Sequence, residues 1–81
     1  MRANVKVVGI GKRRTGVSGT GNNYDFVPVS LVFPDPGTQG FRAETVNIEY
    51  HDFHDYGVSP DKELDMVFHF VKGRMFVDAV L

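Results

Sequence analysis

Apolar and polar residues alternate through most of this chain, and the alternation is broken at short intervals by glycine and proline. In residues 2–10, Ala3, Val5 and Val7 fall on one face and Arg2, Asn4 and Lys6 on the other, the period-2 pattern of a half-buried strand. Residues 24–33 repeat it, with Asp25, Val27, Val29, Leu31 and Phe33 set against Tyr24, Phe26, Pro28, Ser30 and Val32. Pro28 cannot donate to a ladder, so it marks an edge or a bulge. Further strands are predicted at about 41–50, 63–71 and 74–80, with a turn at 34–40 and a tight turn at Lys72-Gly73. Residues 51–60 read as a polar link. Ser59-Pro60 resembles a helix start, and Leu64, Val67, Phe68 and Val71 also satisfy helical spacing. Strict alternation of Leu64, Met66, Phe68 and Phe70, followed by a hairpin, favours strand.

Five short strands in 81 residues predict a single all-β domain over 1–81, a five-stranded, partly open OB-like barrel. Residues 11–23, with Gly11, Gly16, Gly19 and Gly21, form a long loop or extended hairpin protruding from it. A chain this short has a thin core. Seven phenylalanines must mostly be buried, and the surplus of aromatics predicts a homodimer. The absence of cysteine excludes disulfides and thiolate metal sites and fits a reducing compartment. No run approaches the roughly 20 apolar residues of a membrane span, and the N-terminal residues lack the apolar stretch of a secretion signal. The expectation is a cytoplasmic protein.

Charge changes this picture. Residues 1–24 hold five cations (Arg2, Lys6, Lys12, Arg13, Arg14) and no acid, whereas residues 25–81 hold four cations and ten acids. The overall charge of −1 hides that asymmetry. The basic end includes Lys12-Arg13-Arg14, then a glycine-rich polar run, then Tyr24. Guanidinium groups fork onto phosphate and stack on bases, and glycines let a backbone approach a ligand. A ring at the start of a strand receives a base, worth about 1–3 kcal/mol whatever the base. With roughly three cations on phosphates, affinity for a single strand falls with a log–log salt slope of about −2.

The segment Arg14-Thr15-Gly16-Val17-Ser18-Gly19-Thr20-Gly21-Asn22-Asn23-Tyr24 resembles the DNA-binding wing of the filamentous-phage single-stranded-DNA-binding (helix-destabilising, gene V protein) family. Arg14, Gly16, Val17, Ser18, Gly21 and Tyr24 carry the match, and a looser one covers the first strand and the terminal hairpin. The resemblance implies a five-stranded OB-like barrel, a twofold dimer, cooperative coating of a single-stranded phage genome, and no catalysis or cofactor. It makes Arg14 a phosphate contact, Tyr24 a stacking or packing ring, and Gly16 and Gly21 shapers of the wing. Where family wings often hold more cations this chain has Gly19 and Asn22; Lys12 and Arg13 just upstream supply positive charge instead. The expected DNA-binding set is therefore Lys12, Arg13, Arg14, Gly16, Ser18, Gly21, Tyr24 and Phe26. On physical grounds Phe33, Phe68 and Phe76 are further stacking candidates, each with a core role as its rival.

His51-Asp52-Phe53-His54-Asp55 is the other cluster that invites chemistry. Two imidazoles three residues apart with flanking carboxylates suit a divalent metal, but no ligand spacing is completed, and the segment is expected to be a solvated link with no metal. No nucleophile–base pair, phosphate loop or nucleotide fingerprint is present, so an enzyme is not expected. The rivals to strand binding are a small β-domain whose basic hairpin docks on a protein, and a metal-binding protein centred on His51 and His54.

Overall fold

In the computed structural model, which describes residues 1–81, six strands and one short helix follow the order β1 (Arg2–Ile10), β2 (Arg14–Val17), β3 (Asn23–Pro34), β4 (Phe41–Glu49), α1 (Tyr50–Asp55), β5 (Glu63–Val71) and β6 (Arg74–Val80). All neighbours are antiparallel, in the order β2-β3-β1-β5-β6, with β4 on the other edge of β3. The long strand β3 organises the sheet. One edge pairs with β4 from Phe26 to Pro34, while the other pairs with β2 over Asn23–Phe26 and with β1 over Val29–Val32. Pro28 falls at the join where β3 exchanges β2 for β1, which is why a residue without an N–H is tolerated inside a strand.

The alternation read from the sequence is the alternation that is buried. Val5 and Val7 of β1 lie inside with Val27, Val29, Leu31 and Phe33 of β3, and Leu64, Met66 and Phe68 of β5 complete the middle of the core. Residues 63–71 are strand, and Lys72-Gly73, both at positive φ (51° and 79°), form the tight turn into β6. Phe33 and Phe68 pack at 5.1 Å between ring centroids and are almost wholly buried, so neither can stack on a ligand. No polar side chain is buried.

Three expectations are corrected. The domain is mostly β rather than all-β: β4 stops at Glu49 and Tyr50 opens α1, where the predicted strand ran to residue 50 and the predicted link followed. The strands number six, because the glycine-rich segment holds β2. The sheet is also not closed into a barrel. Bulges at Val7/Gly9 and Val67/Phe68 increase its curl, and β4 and β6 come into contact across an open seam without a ladder. Both run in the same direction, so closure would take a parallel ladder, the weaker kind, along a β6 of seven residues. No helix is long and apolar enough to cross a membrane.

Candidate nucleic-acid interface

β2 and the first residues of β3 form a two-stranded wing, with Arg14 opposite Phe26, Thr15 opposite Asp25, Gly16 opposite Tyr24 and Val17 opposite Asn23. Its tip is a three-residue loop. The Gly21 N–H donates to the Ser18 carbonyl (2.9 Å), the Ser18 N–H donates to the Asn22 carbonyl (2.8 Å), and Gly21 sits at φ 85°. That is a type I turn closed by a left-handed residue, a standard hairpin connection that glycine serves best. The Ser18 hydroxyl accepts from the Asn22 N–H (3.2 Å) and bonds the Thr20 hydroxyl (2.9 Å). Ser18 and Gly21 thus shape the tip.

Directly opposed residues of an antiparallel pair share a face, and successive residues alternate. Arg14, Gly16, Tyr24 and Phe26 therefore share the outer face, away from the core. The Tyr24 ring lies across Gly16: a Cβ there would sit 2.5 Å from Tyr24 Oη and 2.7 Å from its Cζ. Tyr24 is 42% exposed, and its ring and that of Phe26 are 5.7 Å apart between centroids. Lys12 and Arg14 are exposed and pair with no carboxylate.

Arg13 points to the opposite side. Its Nε and Nη2 donate to the two oxygens of Asp25 at 2.7 and 2.6 Å, and its guanidinium carbon lies 3.5 Å from the centroid of the Tyr50 ring. The bond from Arg13 holds the Asp25 carboxyl below its ordinary range, and the same bond raises the Arg13 guanidinium.

A groove of about 470 Å³ opens where β4 leaves β3 to enter α1, with Tyr24, Phe26, Asn47 and Tyr50 on its walls. It also carries two carboxylates, Asp25 and Glu49; the first is neutralised by Arg13, and the second has no cationic partner. Asn47 is shared with two smaller depressions along the β4–β6 seam, both lined by Phe76. Phe76 is 41% exposed, stacks on His69 at 5.5 Å and has Arg74 5.8 Å from its ring centroid. His69 is held by Asp78 at 2.8 Å. Rings from β3 and β6 thus border one continuous outer surface, with Asn47 between them.

Of the eight residues expected from the sequence, Arg14, Gly16, Tyr24 and Phe26 are brought to one face, Lys12 lies at the wing's root and Ser18 and Gly21 at its tip, while Arg13 is engaged internally. Sequence reasoning missed Asn47, which only the seam brings between the two aromatic groups, and the part played by Tyr50. The alternation runs on through Tyr50 and His51 and breaks first at Asp52, so it gave no sign that Tyr50 leaves the strand.

On α1, the ligand atoms of His51, Asp52 and Asp55 lie within 4.8 Å of one another, close to solvent. His54 is not in that group; its ring sits edge-on to Tyr50 at 4.6 Å. The two imidazoles are therefore put to different uses, and a site built on both has no support in this geometry.

Searches against protein-family models, curated proteins and solved structures found no match for this chain.

Proposed function

We propose that the chain binds single-stranded DNA without sequence preference and without catalysis. The observation that carries the reading is the outer face of the wing: Tyr24 laid flat over Gly16, Phe26 beside it, and a cation with no acidic partner, Arg14, across the ladder. Aromatic faces take bases of any identity and free cations take the backbone. Lys12 and Arg14 on the wing and Arg74 beside Phe76 supply three such cations, which sets a salt slope of about −2.

The fold supports the same reading. With β2 counted as an addition, the remaining strands follow β4-β3-β1-β5-β6, with α1 between β4 and β5 and the seam between β4 and β6. We read this as an OB-type barrel left open at one seam, whose first hairpin and last turn flank the ligand face, as they do in oligonucleotide-binding members of that class. The resemblance of the wing extends the proposal to a cytoplasmic, homodimeric, cooperative coat on a phage genome. An exposed apolar depression formed by Val8, Val32, Pro34 and Phe41, far along β3 from the wing, supports the dimer.

The test is a tyrosine-fluorescence titration with oligo-dT at two salt concentrations. Arg14→Ala is expected to make the slope shallower by about 0.7. Tyr24→Ala is expected to weaken binding by about 1–3 kcal/mol with the slope unchanged. A protein that ignores oligo-dT even at low salt is not a single-strand binder, and the basic wing then reverts to a protein-docking hairpin.

A further inference from the structure

The wing has no core of its own, since no residue from Gly11 to Phe26 is buried. A two-stranded ribbon is marginal by itself, so its angle to the sheet must be set where it is rooted. Two contacts do this. The Gly11 N–H donates to the Pro28 carbonyl at 2.8 Å, and Arg13 closes a three-way junction.

We infer that Arg13 is a positioning residue that locks the wing to α1, while its neighbour Arg14 alone meets the strand. The guanidinium fork grips both oxygens of Asp25, which ties the start of β2 to β3. The same plane lies on the ring of Tyr50, the first residue of α1, and that ring is packed against the core. One flat cation thereby joins two strands to a helix. Exposed ion pairs are individually weak, but a bidentate fork that also stacks on a half-buried ring holds one geometry. The raised Arg13 and lowered Asp25 ionisations agree with a persistent pair. Arg13 immediately precedes β2 and reaches Asp25, whose face is opposite to that of Arg14, so the adjacent arginines take different duties. The consequence for DNA rests on the single-strand reading; the consequence for wing motion does not.

The experiment uses the full chain and the variants Arg13→Ala, Asp25→Asn, Tyr50→Leu and Tyr50→Phe. Amide hydrogen exchange is followed in the wing (residues 14–17 and 23–25), with the amides of β1 and β5 in the same sample as the control for folding. Arg13→Ala and Tyr50→Leu are expected to speed wing exchange by about tenfold with β1 and β5 unchanged, whereas Tyr50→Phe, which keeps the ring, restores protection. In oligo-dT titrations Arg13→Ala is expected to bind more weakly at every salt concentration with the wild-type slope.

Asp25→Asn supplies a test of sign. It removes a negative charge, so if Arg13 were a phosphate ligand held back by Asp25, binding would tighten; a positioning role requires it to weaken. Tighter binding by Asp25→Asn, a slope shallower by about 0.7 in Arg13→Ala, or unchanged wing exchange in Arg13→Ala would each overturn the assignment. If the wild-type chain ignores oligo-dT, the strand reading falls and wing exchange alone decides the lock.

Discussion

Gly16 and Tyr24 show how one small residue can set the posture of a large one. The ring occupies the space a Cβ would need, so Gly16→Ala must push Tyr24 outward. The ring is partly solvated and free to move, so stability is expected to stay within about 0.5 kcal/mol, while oligo-dT affinity falls toward that of Tyr24→Ala. Chemical denaturation and fluorescence titration of the same variant separate the two effects. The phenylalanines divide in the opposite sense. Phe68→Ala leaves a hole beside Phe33 and is expected to cost about 3–5 kcal/mol, a large share of the stability of a small domain. Much of this division was legible beforehand. Alternation already placed Phe33 in a row with Val27 and Val29, Phe68 with Leu64 and Met66, and Phe26 on the other face. The different duties of Arg13 and Arg14 were not legible, because a run of cations does not reveal which one a distant tyrosine and a cross-strand acid will take.

At the scale of elements, the wing was visible as a glycine-rich basic hairpin but not as a strand. Arg14–Val17 has no apolar alternation, since neither of its faces meets the core. What makes it a strand is the ladder offered by β3, a strand long enough to outrun β1 on one edge and β4 on the other. The helix was obscured for a related reason: Tyr50, Phe53 and Tyr56 pack against the core from only six helical residues and the residue that follows, too short a stretch for periodicity to declare itself. The wing's tip depends on its left-handed residue. Replacing Gly21 by a β-branched residue such as valine is expected to cost about 1–2 kcal/mol of local order, read as faster exchange at Ser18 and Asn22 with the β5 amides unaffected. The β3–β4 turn is fastened differently, with the Gly37 N–H donating to Asp35 (3.1 Å) and Arg42 paired to the same carboxylate (3.3 Å).

Over the whole molecule, counting charges along the chain overstated the basic pole. Arg2 is bound by Asp65 and Arg13 by Asp25, which leaves Lys6, Lys12 and Arg14 unpaired in the first 24 residues. The pairs carry a pH dependence of definite sign. Asp25 and Asp65 are lowered chiefly by the bonds from their arginines, and Asp35 chiefly by the Gly37 N–H. A carboxyl whose folded pKa lies below its unfolded one contributes stability above the unfolded value, about 3.9, and loses it as pH falls through the folded one. Melting temperature is therefore expected to be flat near neutrality and to drop in the acid range below about pH 5, with Asp65→Asn flattening that drop. The proposed dimer is tested at this scale as well. Phe41 is 68% exposed and Val8, on the outer face of β1 with Lys6, is 52% exposed, and both line one depression with Val32 and Pro34. Lys6 and Glu63 border that depression, opposite in sign and not bonded to each other. A twofold contact over it would bury the exposed ring of Phe41 together with Val8, so a second copy is the occupant we propose for it. Phe41 and Val8 lie outside the buried core, so Phe41→Ser and Val8→Ser are expected to leave the melt of the isolated chain nearly unchanged while shifting sedimentation velocity from dimer to monomer. A wild-type chain that sediments as a monomer at every concentration, or a dimer that survives both substitutions, would show that this face is not the contact.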